Sequence, residues 1–285
     1  MRMGALARVE TFGDGLSARN FEILAKFIYD YSGIKMPPTK RTMLEGRLRK
    51  RLRYTGAVSL DDYCDFLFKR GGLDSEVIFL IDCVTTNKTD FFREPNHFDF
   101  MVRKALPDIA ADGVRNIRVW SSACSTGAEP YTIAMLLAEF ARANQAIDYR
   151  ILATDLSTDV LKKAHSGLYA PELLQPVPAD LMRRYVMRSI DPKRHEMRIV
   201  PSLRAKVAFA RFNLMDETYS VGDAFHIIFC RNVLIYFDKQ TQTHVLQELC
   251  KNLLPGGFLM IGHSESIAGI DLPVRQVANT VFQKQ

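Results

Sequence analysis

The sequence predicts an α/β protein in which a small all-helical domain precedes a mostly parallel β-sheet. Two observations lead to this prediction. Up to about residue 86, apolar residues recur at helical spacing and β-branched alternation is scarce. From residue 117 onward, short apolar runs alternate with helical patterns, and several of these runs are apolar throughout. Such strands are typical of a parallel sheet that helices cover on both faces.

The helical part contains at least three amphipathic segments. Residues 17–34, SARNFEILAKFIYDYSGI, repeat apolar side chains at helical spacing. After a double proline, Leu44, Leu48 and Leu52 follow at intervals of four residues, which places them on one face of a helix. SLDD at residues 59–62 indicates a helix start, because a serine there can cap free backbone N–H groups.

The second part is predicted to contain six strands with helices between them. We expect these strands at residues 117–120, 149–155, 207–216, 225–232, 258–266 and 276–284, with a Pro255-Gly256-Gly257 turn before the fifth. Residues 170–206 interrupt the alternation with five prolines and a charged stretch. We therefore expect an inserted subdomain there.

The composition is that of a soluble globular protein. Of the 285 residues, 47% are apolar and 25% are charged. Neither a signal peptide nor a run of membrane-spanning length is visible, so a cytoplasmic location is expected. The five cysteines are scattered and form no C-x-x-C pair, which indicates reduced thiols and neither a disulfide framework nor a zinc site.

Positive charge is concentrated in one segment. The chain has a net charge of +6, and residues 40–53, KRTMLEGRLRKRLR, hold seven Lys and Arg against one Glu. This segment indicates an anionic partner, which could be a nucleic acid, a membrane surface or an acidic protein. A solvated cationic face without a partner is the alternative.

The carboxyl ends of the predicted strands are the expected ligand site, because open α/β sheets bind ligands where strand order reverses. The first strand is followed by SSACSTGAE at residues 121–129, whose small residues allow a close backbone approach. This loop lacks G-x-G-x-x-G, which argues against a dinucleotide and is compatible with a nucleoside without phosphates. Glu129, at the end of the loop, could meet an ammonium group.

Three further strand ends complete the candidate site. Asp155 ends the second strand, where a carboxylate can accept hydrogen bonds from both ribose hydroxyls. FNLMD (212–216) suits a purine edge, and Cys230, Arg231 and Asn232 end the fourth strand. Plain structural alternatives exist, with Asp155 as a helix cap and Cys230 as a buried apolar residue. No histidine pairs with another at metal-ligand spacing, so no metal is expected.

Six ordered motifs resemble one family. A close resemblance to the CheR family, the bacterial chemotaxis-receptor protein-glutamate O-methyltransferases, is carried by NKTDFFRE (87–94), SSACSTGAEPYTIAM, ILATDLS, FNLMD, IIFCRNVLIYFDK and LLPGGFLMIGHSES. The resemblance covers residues 17–283. It implies a class I, Rossmann-like S-adenosylmethionine-dependent methyltransferase sheet, with an all-helical N-terminal domain and a small inserted β-subdomain.

The resemblance also implies the domain limits. We expect a flexible N-terminus at 1–16, a helical receptor-docking domain at 17–86, an inter-domain linker helix at 87–108, and the methyltransferase domain at 109–285 with its β-subdomain at 170–206. The stretch MRSIDPKRHEMRIV lacks the glycine-rich loop of members that bind a C-terminal receptor peptide. Recognition without that peptide is expected.

The site residues of the family carry over position by position. The cofactor-binding set, which runs from the inter-domain motif through the amino-acid end, ribose and adenine to the loop over the cofactor, is Asn87, Thr89, Arg93, Glu129, Asp155, Asn213, Leu214, Arg231 and Asn232. Arg93 and Tyr236 correspond to residues that orient the substrate carboxylate. In the basic segment, Arg47, Lys50 and Arg53 are the expected receptor-docking residues.

The implied activity is methyl transfer from S-adenosylmethionine to glutamate carboxylates of chemotaxis receptors, which leaves S-adenosylhomocysteine. Glutamate has an ordinary pKa of about 4.3, so the acceptor is already anionic and needs no general base. The sequence accordingly shows no Ser-His-Asp set. The implied partner is the cytoplasmic helical domain of the receptors, bound by a monomer, with no nucleic acid and no membrane insertion.

Two other functions remain open at this level. A nucleic-acid methyltransferase suits the basic segment, but the chain has no [DN]-P-P-[YF] or Pro-Cys motif and no aromatic residues interleaved with the basic run. A non-catalytic module that binds the cofactor or a receptor is the second alternative. The intact Arg93, Asp155 and residues 230–232 disfavour it.

Overall fold

The computed structural model describes residues 15–191, 193 and 195–285. These residues form two compact units, one containing the described chain up to Tyr31 with Lys35–Val84, and the other Ser32–Ile34 with Thr85–Gln285. The flexible N-terminus expected at residues 1–16 falls mainly on residues 1–14, outside the described part. Leu16 differs from that expectation, because it is fully buried and its N–H donates to Glu45 Oε1 at 2.9 Å.

The first unit is helical, as predicted. Its α-helices within the described residues are α1 (Ala18–Ser32), α2 (Arg41–Thr55), α3 (Leu60–Lys69) and α4 (Leu73–Val84). Leu44 and Leu48 of the predicted stripe are fully buried, whereas Leu52 is half-buried. Ser59 caps α3 by accepting a hydrogen bond from the N–H of Asp62 at 3.1 Å, which confirms the predicted helix start.

A buried ion pair joins α2 to α4. Arg51 donates from Nε and Nη2 to the two carboxylate oxygens of Glu76, at 2.5 and 2.9 Å. Tyr63 of α3 donates its hydroxyl to the same carboxylate at 3.0 Å. Glu76 is 4% exposed, so these donors replace the water that its charge would otherwise need. The interior of this unit therefore includes one arginine of the basic segment.

The second unit contains two β-sheets. Its strands within the described residues are β1 (Asn116–Ser121), β2 (Asp148–Asp155), β3 (Leu168–Tyr169), β4 (Val186–Arg188), β5 (Met197–Ile199), β6 (Val207–Arg211), β7 (Phe225–Cys230), β8 (Leu253–Ile261), β9 (Val274–Ala278) and β10 (Val281–Lys284). Its α-helices there are α5 (Pro95–Phe100), α6 (Leu106–Ala111), α7 (Ala128–Ala143), α8 (Thr158–Ser166), α9 (Ala179–Tyr185), α10 (Pro201–Arg204) and α11 (Lys239–Lys251). A π-helical turn, Met101–Ala105, joins α5 to α6.

The main sheet has seven strands in the order β6-β2-β1-β7-β8-β10-β9. The first five strands in this order are parallel, whereas β10 is antiparallel to both of its neighbours. Strand order reverses at β1, which lies between β2 and β7. The predicted mostly parallel sheet is confirmed, and the reversal at β1 marks the edge where a ligand is expected.

Both faces of the main sheet are buried, as the apolar strands predict. Val119 and Ile227 belong to the apolar core that contains α7, whereas the next residues along the same strands, Trp120 and Ile228, belong to the core that contains α11. Successive side chains of a strand point to opposite faces. Each central strand therefore contributes to two cores at once, which explains its continuous apolar run.

The expected insertion forms the second sheet, with three antiparallel strands in the order β3-β5-β4. The sheet begins at Leu168, two residues before the expected start of the insertion at residue 170. Tyr169 anchors the insertion to the loop after β1, because its hydroxyl donates to the carbonyl oxygen of Thr126 at 2.7 Å.

The helix expected at residues 87–108 differs in its limits. Residues 87–94 are not helical, and helical structure runs from Pro95 through the π turn to Ala111. A proline at the first helical position is favourable, because its missing N–H has no partner there in any case. Residues 87–94 belong to the compact unit that contains the sheet, and not to the helical unit.

Other predicted strand limits are also wrong. The third strand, expected at residues 207–216, ends at Arg211. Pro255-Gly256-Gly257 is a bulge inside β8 instead of a turn before it, since Phe225 pairs with Leu253 while Ile227 pairs with Phe258. The single last strand expected at residues 276–284 is a hairpin of β9 and β10. No helix among the described residues combines the length and apolar character needed to cross a membrane.

Candidate functional site

The loop after β1 folds over the end of β2. Cys124 donates its N–H to the carbonyl of Thr154 at 2.8 Å, and Ser125 donates its N–H to Asp155 Oδ2 at 2.8 Å. Oδ1 of Asp155 accepts the N–H of Ser157 at 2.9 Å. Asp155 thus forms a local turn with Ser157, and Ser157 takes the N-cap position of α8 that the structural alternative gave to Asp155.

The residues expected on the adenine side lie next to Asp155. The N–H of Phe212, which follows β6, donates to the carbonyl of Asp155 at 3.0 Å. Asn213 turns its Oδ1 to the N–H of Met215 at 3.1 Å, and Leu214 is 6% exposed. The structure therefore brings the ends of β2 and β6 together as predicted.

Glu129 connects the ends of β1 and β7. Its Oε1 accepts the hydroxyl of Ser121 at 2.7 Å, and its Oε2 accepts Arg231 Nη1 at 2.9 Å. Ser121 is the last residue of β1, and Arg231 follows β7 directly. The carboxylate therefore lies at the switch point, the place expected for a residue that binds an ammonium group.

Arg231 is enclosed by acceptors. Besides Glu129, its guanidinium donates Nη2 to Glu94 Oε2 at 2.9 Å and to the carbonyl of Arg93 at 2.5 Å. Its side chain is 2% exposed and lies 5.3 Å from the ring centroid of Phe98. The guanidinium of Arg231 is thus occupied by Glu94 and Glu129. The cofactor contact that the resemblance implies for Arg231 would therefore be made by its backbone.

Glu94 is the main site residue that the sequence did not reveal. It receives Arg231 on one oxygen, Asn232 Nδ2 on the other at 2.9 Å, and the N–H of His263 at 3.3 Å. Burial alone would raise the pKa of Glu94, but the hydrogen bonds from Asn232 and Arg231 outweigh burial and hold it below its ordinary value. The only sequence signal was its place beside Arg93 in NKTDFFRE.

Glu265 holds the loop that carries Asn232 and Tyr236. It is 7% exposed and accepts the N–H groups of Gly262, Asn232 and Ile235 at 2.6, 3.0 and 3.4 Å. Burial raises the pKa of Glu265, and the N–H groups oppose that shift without cancelling it. Tyr236 lies in this loop and is half-buried.

The stretch of residues 87–93 packs beside the loop after β1. Ser125 donates its hydroxyl to the carbonyl of Asn87 at 2.9 Å, and Arg93 donates Nη1 to the carbonyl of Lys88 at 3.0 Å. Thr89 is half-buried in the same stretch, and Phe91 is 1% exposed in the core of the sheet unit. The expected polar set therefore lies in the unit that contains the sheet.

Strained backbone marks this edge of the sheet. In the described chain, positive φ angles occur at five non-glycine residues: Phe92, Glu94, Ser125, Asn232 and Thr280. Four of them lie in the segments just described, and Thr280 bonds through its carbonyl to the N–H of Ile261 at the end of β8. Such conformations cost about 1–3 kcal/mol each and persist only where the surroundings impose them. The backbone conformations at this edge of the sheet therefore lower the free energy of unfolding, and the surrounding contacts hold them in place.

The cysteines at the site are buried and unreactive, whereas two of its histidines lie close together. Cys124 and Cys230 are buried, and burial raises the pKa of both thiols, so neither acts as a nucleophile at neutral pH. His97 and His263, which show no metal-ligand spacing in the sequence, are brought together with their ring centroids 4.9 Å apart. Burial, followed by the charge of Arg231, lowers the pKa of His97 to about 4.

The basic segment is only partly available to a partner. Arg47 donates Nη1 to the carbonyl of Val84, the last residue of α4, at 2.8 Å. Lys50 and Arg53 are exposed on α2. Two of the three residues expected to dock a receptor therefore present their charge to solvent, while Arg47 stabilises a helix end.

The chain matches known proteins over nearly its whole length. The family profile described as "CheR methyltransferase, SAM binding domain" matches residues 87–282, and "CheR methyltransferase, all-alpha domain" matches residues 19–85. The chemotaxis protein methyltransferase of Borreliella burgdorferi is 38% identical over 86% of this chain and 87% of its own length. That of Escherichia coli is 37% identical over 94% of this chain and 91% of its own length.

A third relative, chemotaxis protein methyltransferase 2 of Pseudomonas aeruginosa, is 36% identical over 92% of both chains. The similarity thus includes the helical unit and the sheet unit, and it agrees with the polar site at the switch point. The chain belongs to the CheR methyltransferase family and is an S-adenosylmethionine-dependent methyltransferase of chemotaxis.

Proposed function

We propose that the enzyme methylates glutamate side chains of chemotaxis receptors in the cytoplasm, acts as a monomer, and forms glutamate methyl esters and S-adenosylhomocysteine. The observation that carries this proposal is the composition of the site. Carboxylates, amides and arginines meet at the switch point. A carboxylate acceptor needs no base, because it is already anionic at neutral pH.

The residues at the sheet edge suit the cofactor chemically. Asp155 offers a carboxylate to ribose hydroxyls, and Glu129 offers a carboxylate to an ammonium group. Asn213 and Leu214 offer an amide and an apolar side chain to adenine, beside Asp155. We assign Asn87, Thr89, Arg93, Arg231 and Asn232 to the rim of the same site, with Arg231 acting through its backbone.

The chain's own task is alignment and exclusion of water. When bound, S-adenosylmethionine supplies an electrophilic methyl group. Holding the acceptor in a near-attack position can contribute roughly 7–11 kcal/mol to barrier lowering. Arg93 and Tyr236 are the residues that we assign to orienting the carboxylate. A guanidinium that gripped both oxygens tightly would lower their nucleophilicity, so Arg93 orients more than it activates.

We assign receptor docking to the exposed charge of α2. Lys50 and Arg53 are exposed. The family resemblance implies receptor domains that present glutamate carboxylates to such a surface. Complementary charge on the two proteins raises the rate at which enzyme and receptor associate, and it makes that rate depend on salt concentration. Arg47, which caps α4, is assigned to supporting this surface instead of contacting the receptor.

The acceptor is identified by the chemistry of the product. Purified enzyme is incubated with methyl-labelled S-adenosylmethionine and receptor-containing membranes, with and without nuclease. We expect label in receptor peptides that is released as methanol by mild base and maps to glutamate. Base-stable label, or label lost on nuclease treatment, would contradict the proposal and favour a nucleic-acid or nitrogen acceptor.

A further inference from the structure

We propose that Glu94, His97 and His263 form a binding site for a transition-metal dication of the Zn²⁺ type. Their ligand atoms all lie within 4.8 Å of one another. The three residues, called the His–Glu cluster below, come from the turn before α5, from α5 itself and from the turn after β8. Because His97 and His263 are far apart in the sequence, only the fold reveals this cluster.

His97 presents a buried lone pair to the cluster. Thr280 donates its single hydroxyl proton to the carbonyl of Asn279 at 2.8 Å, and His97 Nε2 lies 2.8 Å from that hydroxyl oxygen. With the hydroxyl proton used in this way, Nε2 carries the ring proton and donates it to Thr280. Nδ1 is left with a lone pair, and within the described chain it has no hydrogen-bond partner. His97 is 1% exposed.

An unpaired buried acceptor is unusual and calls for an explanation. A metal ion bound to Nδ1 supplies one. Metal-binding histidines commonly donate their other ring N–H to a neighbouring group, which fixes the tautomer and the ring orientation. The bond from His97 to Thr280, itself anchored on Asn279, is an arrangement of this kind.

Glu94 supplies a pre-positioned carboxylate. Its Oε2 lies 3.7 Å from His97 Nδ1, and Arg231 and Asn232 hold its two oxygens. Oε2 already accepts both Arg231 and the N–H of His263, whereas Oε1 uses only one of its two lone pairs, for Asn232, in the described hydrogen bonds. Oε1 is therefore the oxygen that would bind the metal. The positive charge of Arg231 opposes metal binding, but Glu129 pairs with the same guanidinium. The carboxylates of Glu94 and Glu129 together with the guanidinium of Arg231 carry one net negative charge.

His263 supplies the adaptable ligand and the route of entry. It is exposed, in a turn, whereas His97 is buried and Glu94 is held in place. Tetrahedral ligands at about 2.0–2.1 Å from Zn²⁺ lie roughly 3.4 Å apart, so ligand atoms that lie as far as 4.8 Å from one another must approach by up to about 1.4 Å. Rotation of the exposed His263 side chain can provide that contraction without moving the core.

The ligand set decides the class of metal. Two imidazoles with one carboxylate and a position open to water suit Zn²⁺, and Co²⁺ and Ni²⁺ bind such sets with related affinity. Mg²⁺ and Ca²⁺ prefer oxygen ligands alone and are not expected to bind here. The structure is thus expected to bind one transition-metal dication, whose coordination would tie the turn before α5 to the turn after β8.

The test uses tag-free, chelator-treated full-length enzyme without cofactor or receptor, so its outcome is independent of methyl transfer. We expect calorimetry to show one equivalent of Zn²⁺ at micromolar metal concentration. Co²⁺ should give visible absorption of a nitrogen and oxygen site without the near-ultraviolet band of a thiolate ligand. That band would instead place the metal on one of the five cysteines and overturn the proposal.

Substitutions locate the metal. His263→Gln, at an exposed position, should weaken Zn²⁺ binding by about tenfold or more, while the matched control His165→Gln, also at an exposed histidine, should not. His97→Gln should abolish binding, provided that circular dichroism shows an intact fold. No binding by the wild-type enzyme, or equal binding by His263→Gln, would overturn the proposal.

Discussion

Asn232 donates Nδ2 to Glu94 Oε1 at 2.9 Å, although 138 residues separate them in the sequence. The other oxygen of Glu94 accepts Arg231, so one carboxylate holds both residues that follow β7. This bond fixes the rim of the candidate site through a residue that no motif assigned.

Glu94→Ala should therefore destabilise the enzyme. Removing the carboxylate leaves the buried Arg231 with a weaker set of acceptors, and breaking a buried ion pair costs about 3–5 kcal/mol. We expect a loss near the lower limit, because Glu129 still pairs with Arg231. Urea unfolding compares the variant with Glu172→Ala, an exposed control on the insertion. Equal stability of the two variants would show that the hydrogen bonds of Glu94 with Arg231 and Asn232 do not stabilise the fold.

Asp155→Asn should weaken cofactor binding. The carboxylate is held by the N–H groups of Ser125 and Ser157, and its charge strengthens hydrogen bonds from ribose hydroxyls. Losing a charge-assisted hydrogen bond of about 1.5–3 kcal/mol corresponds to roughly 10- to 150-fold in Kd. Calorimetric titration measures the Kd, with Asp148→Asn at the other end of the same strand as control. An unchanged Kd in Asp155→Asn would refute the ribose assignment.

Polar residues at or just after the carboxyl end of a strand were predictable from the sequence. Asp155 ends β2 and Asn213 lies just after β6, both strands have a clear apolar pattern, and parallel strands bring their carboxyl ends to one edge. The small-residue loop after β1 was identified on the same grounds. For these residues, local pattern and sheet topology are sufficient.

Residues that depend on distant partners were not predictable. The sequence around Glu94 does not indicate that it pairs with Arg231 and Asn232. The basic segment likewise does not indicate that Arg51 pairs with Glu76. The final hairpin was missed because its turn uses Thr280 at φ 52°, a conformation that β-branched residues rarely adopt. Tertiary contacts override local preference at each of these places.

Charge reversal on α2 should weaken receptor use. Lys50→Glu with Arg53→Glu removes two exposed positive charges and adds two negative ones, which should raise the KM for receptor membranes at low salt with little change in kcat. The matched control is Lys162→Glu with Lys163→Glu on α8, which changes net charge equally. If both double variants change KM by the same factor, the effect is one of net charge and the docking assignment is wrong.

His226 should make stability depend on pH. It accepts the N–H of Arg118 on Nδ1 at 3.0 Å, and burial, followed by the charge of Arg118, lowers its pKa. Below about pH 6.5 the unfolded chain binds a proton that the folded chain resists, so stability falls as pH falls; above that pH both states are neutral there. We expect the urea midpoint to drop between about pH 7.5 and pH 5.5.

The pH effect is assigned with His226→Asn, which retains an acceptor for Arg118 but does not titrate in this range. The decrease in its urea midpoint should be smaller than in the wild type. His195→Asn, at an exposed histidine, serves as the control. An identical decrease in His226→Asn and the wild type would exclude His226 as the source.

The most direct test of the central claim is single-turnover methyl transfer to receptor glutamates by Arg93→Ala. Arg93 lies half-buried beside Glu94, and we assign it to orienting the acceptor. We expect cofactor Kd to stay within a few-fold of wild type, while the rate falls by about 100-fold, the size that misplacement of a reacting group produces. Arg103→Ala, at an exposed arginine after α5, should retain the full rate. Wild-type turnover by Arg93→Ala, at full cofactor occupancy, would contradict the account.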